Sequence, residues 1–91
     1  MVVDLTITER SRKYGYVIWP KSVDDNVRRV LGNSERMTVI LDGQTLGEKN
    51  IDWKHRRISV GPKQTRNLSS EAAFFRLQKI STGTLEISTQ K

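Results

Sequence analysis

Cysteine is absent from the sequence and histidine occurs once, so a disulfide framework and a thiolate or imidazole metal centre both lack their raw material. The missing cysteine fits a reducing compartment, and with the N-terminus it points to the cytoplasm. That N-terminus, MVVDLTITER, sets Asp4 inside what would be the apolar core of a secretory signal, and no run approaches the roughly eighteen apolar residues that cross a bilayer. No membrane association is expected. The six glycines are dispersed and none forms GxGxxG, or GxxxxGK ahead of a helix, so the phosphate-cradling loop of a nucleotide hydrolase is not encoded.

Carboxylates are also in short supply. Ten Asp and Glu face sixteen Lys and Arg, a net charge of +6, which surrounds the molecule with a field attractive to polyanions. Nucleic acid is the first partner this implies, DNA ahead of RNA; a charge that only keeps a small protein soluble is the other reading. Apolar residues make up 35% of the 91, a lean supply that suffices for one small core and a single domain over residues 1–91. With neither disulfide nor metal to supplement that core, self-association is the remaining support.

What is present reads mainly as strands. Val3, Leu5 and Ile7 alternate with polar residues over 2–8, the period of a half-buried strand, and the charged stretch 9–13 reads as a turn or exposed linker. A second strand, rich in aromatic and β-branched residues, follows over 14–19 and stops at Pro20. Ser22 and Asp25 have capping-box spacing, Val23, Val27, Val30 and Leu31 recur with helical period, and Gly32 follows, which predicts one short helix over about 22–31. Residues 37–41 form an apolar run ending in Asp42-Gly43, a hairpin-turn dipeptide. Residues 47–50 read as loop. Ile51 and Trp53 then lie on one parity and Ile58 and Val60 on the other, which requires a turn or bulge near 54–56. The polar segment 62–70 reads as a mobile loop, and 74–80 with 85–88 as a closing hairpin, with one helical turn over 71–75 as the minor alternative. The fold class that results is mainly β (α+β), a small β-barrel or curved sheet with one short helix and a C-terminal hairpin.

Catalytic groups are poorly supplied. His55 sits among Lys54, Arg56 and Arg57, whose charges disfavour its protonated form without offering a partner for general-base work. Asp24 and Asp25 are explained by the positive end of a helix dipole. No enzyme activity, cofactor, metal or small-molecule substrate is therefore expected. The cations are better organised: Arg10, Arg12 and Lys13 lead into Tyr14 and Tyr16, Trp53 precedes Lys54, Arg56 and Arg57, and Lys63 and Arg66 lie in the polar segment. Cations neutralise phosphates while aromatic faces stack on unpaired bases, so Arg10, Arg12, Lys13, Lys54, Arg56 and Arg57 are the candidate nucleic-acid contacts. For Tyr14, Tyr16, Trp19 and Trp53 a role as core or dimer-interface aromatics is favoured over base stacking, because large rings dominate small cores.

From Gly15 to Gly43 the string GYVIWPKSVDDNVRRVLGNSERMTVILDG resembles the AbrB/MazE-like swapped-hairpin β-barrel family. The likeness rests on Gly15, Ile18, Pro20, Lys21, Arg28, Arg29, Leu31, Gly32, Val39, Asp42 and Gly43; Tyr16 stands where a DNA-contacting arginine is usual. The resemblance implies an intertwined homodimer that binds DNA, with Arg12 and Lys13 in the region that family uses. Two functions are thus weighed: a DNA-binding homodimer of transcription-regulator type, and a non-catalytic protein-interaction or structural module.

Overall fold

In the computed structural model, which describes residues 1–91, 45% of the chain is strand and 24% helix, so the fold is mainly β. The strands are β1 (Val2–Thr6), β2 (Tyr16–Ile18), β3 (Arg36–Leu41), β4 (Gln44–Asp52), β5 (Arg57–Ser59), β6 (Phe74–Ser81) and β7 (Thr84–Gln90). They form one nearly closed, barrel-like sheet in the order β1-β6-β7-β3-β4-β5-β2. All neighbours are antiparallel except β3 and β7. Curling lets the inward residues of every strand meet. Val3, Leu5, Val17, Val39, Phe75, Leu77, Leu85 and Ile87 belong to a cluster of seventeen buried apolar residues, each contributing about 1.5–3 kcal/mol on burial.

The helix α2 (Asp24–Leu31) buries Val27, Val30 and Leu31 against β1 and β6 and closes at Gly32. Its start differs from the expected capping box. A 3₁₀ turn over Lys21–Val23 comes first, so Val23 takes the cap position and no side chain caps the helix. Asp24 instead accepts from Trp19 Nε1 at 2.8 Å and from Arg28 Nε at 3.0 Å, tying the helix to a fully buried indole.

Two further short helices form where polar, charged sequence points to a turn and a loop. The helix α1 (Glu9–Tyr14) is capped by Thr8, whose Oγ1 accepts from Ser11 N at 3.1 Å while Ser11 Oγ accepts from Thr8 N at 3.4 Å. That is a capping box with Ser in the place of Glu or Gln, a substitution the usual pattern does not flag. The helix α3 (Pro62–Arg66) occupies the start of the polar segment, with Pro62 in its first turn, where a missing N–H costs nothing. Thr65 is buried there and donates to the Arg12 carbonyl at 2.8 Å.

Residues 47–50, expected as loop, lie inside β4. Their polar side chains mislead because backbone pairing to β3, with a register shift between Val39 and Ile40, sets them in the strand, and Arg36 of β3 adds side-chain bonds to Glu48 and Asn50 at 3.0 Å each. The parity switch after Trp53 resolves as a turn ending at Arg56, whose φ of 55° is left-handed. Asp42 and Gly43, both at positive φ, make the β3–β4 turn, and β6–β7 make the closing hairpin. Phe74 begins β6, so the helical alternative over 71–75 does not form.

Candidate nucleic-acid interface

Gly15 positions the site. It ends α1 at φ 75°, and its carbonyl accepts from Val60 N at 2.8 Å and Gly61 N at 3.1 Å. A Cβ on it would lie 2.2 Å from the Gly61 carbonyl carbon, so only glycine lets α1, β2 and the start of α3 meet this closely. Tyr16, beginning β2 directly afterwards, then lies on the outer face of the sheet, half-buried, while Val17 points into the core.

Antiparallel pairing of β2 with β5 puts Arg57 diagonally across from Tyr16. The Arg57 guanidinium lies 4.4 Å from the Tyr16 ring centroid, the Tyr14 and Tyr16 rings are 6.2 Å apart with a 33° tilt, and Lys13 Nζ lies 5.4 Å from the Tyr14 centroid. A row results: Lys13, Tyr14, Tyr16, Arg57. Tyr14 is 49% exposed, a large amount for an aromatic ring with no core to fill. Asp52 holds the far end, 3.7 Å from Arg57 Nε, and its carboxyl sits below the usual carboxylate range because the His55 backbone N–H and then the His55 ring bond to it. Arg10 shares a shallow surface with Lys13 and Tyr14, and α3, which carries Lys63 and Arg66, packs against α1.

The six candidate cations thus have different fates. Lys13 and Arg57 join the row. Arg12 turns inward and donates to the carbonyls of Leu68, Ser69 and Ala72 at 3.4, 3.1 and 2.7 Å, which makes it the clasp of the segment after α3. Arg10 and Arg56 line one cleft of about 520 Å³ at the break in the sheet between β1 and β2. Lys54 lines a separate open groove with Glu35, Arg36 and Asp52.

The aromatics divide as well. Trp19 is core, 1% exposed. Trp53 packs edge-on to it at 5.7 Å, donates its Nε1 to the Ser34 carbonyl at 2.8 Å, and carries Arg28 over its ring at 4.3 Å. Both are committed to structure; of the tyrosines, Tyr14 is the exposed ring, while Tyr16 is half-buried and carries Arg57 over one face. The sequence held one cue to this division: Tyr14 and Tyr16 flank the glycine, a spacing that puts both beside one backbone joint. The partnership of Tyr16 with Arg57, forty-one positions apart, had no local signal. Comparison with protein-family models, curated proteins and solved structures finds no match to this chain.

Proposed function

We propose that the protein is a small, basic, non-catalytic nucleic-acid-binding domain that engages its ligand along the Lys13–Tyr14–Tyr16–Arg57 row. The supporting observation is the interleaving itself. Two tyrosine rings lie between two cations on an exposed face, so bases have surfaces to stack on while adjacent phosphates meet positive charge. Arg10, Lys63 and Arg66 add charge on the neighbouring helices, and they and Lys13 have no carboxylate partner while Arg57 is held by Asp52, so most of the positive charge on this face is unpaired.

DNA is preferred over RNA in this reading, and a DNA-binding homodimer of transcription-regulator type is its finer form, supported by the resemblance over residues 15–43. A cytoplasmic location goes with it, supported by the lack of cysteine. No helix is long and apolar enough to cross a membrane.

The test is a fluorescence anisotropy titration with random duplex and single-stranded DNA across a salt series, with light scattering for the oligomeric state. Expected are retention at low salt, an affinity that falls linearly on logarithmic axes as salt rises, and a dimer mass. Tyr14→Ala lowers affinity by about 1–3 kcal/mol if one base stacks on that ring, and Lys13→Gln makes the salt slope shallower. Absence of binding to any DNA at low salt overturns the proposal, as does wild-type affinity in the two variants combined.

A further inference from the structure

The break in the sheet has chemistry of its own. Ile7 N bonds to Ala73 on the β6 side and Trp19 N bonds to Arg56 on the β5 side. By strand alternation, the backbone polar groups of Thr6 and Ile18 therefore face away from those partners, toward the break. The cleft there has a volume of about 520 Å³, an apolar wall of Ile18, Pro20 and Val23, and four charged or titratable side chains, Arg10, Arg56, Asp4 and His55. Its size lies in the range of small-ligand sites.

Three observations single out Arg56. Its backbone is left-handed, at φ 55°, a conformation that non-glycine residues seldom hold without a reason. Its Nε is buried and has no hydrogen-bond partner, in a protein interior where such groups are normally satisfied. Neither it nor Arg10 has a carboxylate partner. Two aspartates are nearby: Asp4 lines the same cleft, and Asp24 lies close enough to feel the Arg56 charge. However, Asp4 gives both oxygens to Arg76, at 2.8 and 3.1 Å, and Asp24 gives its own to Trp19 and Arg28. The charge left in the cleft is positive, from two guanidiniums whose planar donors match the oxygens of a phosphate.

We propose that this cleft binds the phosphate of one nucleotide, held by Arg10 and Arg56, with the sugar and base against Ile18, Pro20 and Val23. The inference rests on the nucleic-acid reading above and gives it a second anchor: Ile18 of the cleft wall is two residues along β2 from Tyr16, and Arg56 adjoins Arg57. A strand crossing the tyrosines reaches the cleft without leaving the protein surface.

The test pairs two probes with two variants of the full chain. NMR titration with a deoxynucleoside 5′-monophosphate, against the same nucleoside without phosphate, reads the side-chain N–H signals of Arg10 and Arg56. Anisotropy with a single-stranded oligonucleotide reads the polymer. Arg56→Gly removes the guanidinium at a backbone angle that suits glycine, so it keeps the fold; Arg10→Gln, at an exposed helix position, is the second variant. Expected are shifts with the monophosphate and none with the nucleoside, and at least tenfold weaker monophosphate binding in each variant. The oligonucleotide salt slope falls by about 0.7, one phosphate contact on a single strand. Monophosphate shifts at Arg10 and Arg56 with no oligonucleotide binding support the cleft as a free-nucleotide site and overturn the polymer reading alone. Oligonucleotide binding with an unchanged slope in both variants, and no monophosphate shifts, overturns the cleft and leaves the tyrosine row standing.

Discussion

Gly15→Ala tests the joint on which the tyrosine row depends. The added methyl meets two costs. At φ 75° an L-residue is disfavoured by about 1–2 kcal/mol. The Cβ would also lie 2.2 Å from Gly61 C and 2.3 Å from Pro62 N, both backbone atoms that cannot rotate aside, so the chain must shift, at the roughly 1–3 kcal/mol typical of overpacking. The sum is about 2–5 kcal/mol, a large share of the 5–15 kcal/mol that holds a domain of this size. At roughly 4–8 °C per kcal/mol for a small domain, Tm falls by about 8 °C at the least. Gly83→Ala is the internal control, because φ there is 80° but nothing lies within 4 Å of the new methyl. It incurs only the conformational cost. Thermal and urea denaturation of the two variants, followed by circular dichroism, separate the contributions. Equal losses in the two would refute the close-approach argument and, with it, the account of how α1, β2 and α3 are held together.

Two further predictions concern the same framework. Arg12→Ala removes three bonds to the carbonyls of Leu68, Ser69 and Ala72 and destabilises by about 1–3 kcal/mol, with faster hydrogen exchange and proteolysis concentrated over residues 67–73; protection unchanged from wild type would remove its role as clasp. Asp4, Asp24 and Asp52 are held below the ordinary aspartate value of 3.8, by the Arg76 hydrogen bond, by the Trp19 and Arg28 bonds, and by the His55 backbone N–H and ring respectively. Because the folded values are depressed, their stabilisation is complete above 3.8 and is lost as pH falls through the lower folded values. The urea midpoint should thus be flat above that range and drop on acidification, with a smaller drop in Asp4→Asn; a midpoint rising toward low pH contradicts the sign.

How much of this was legible in the sequence depends on the range over which each signal acts. Val27, Val30 and Leu31 announced their helix by period, Asp42-Gly43 its turn by backbone preference, and Phe75, Leu77, Leu85 and Ile87 their hairpin by alternation, because each is a local pattern that the core then rewards. The sequence also determined the cation excess and the lack of cysteine, which are matters of composition and need no fold. The short helices α1 and α3 escaped because five or six residues carry too little period to register, and their formation depends on docking: Thr65 on the Arg12 carbonyl, Gly15 against Gly61. Tertiary structure alone decided which cations are free. Arg12, one residue from Lys13, is spent on carbonyls more than fifty positions away, while Arg57 reaches Tyr16 because two distant strands pair. Charge is written in the sequence; whether it faces solvent, a ring or a carbonyl is a matter of which strands meet.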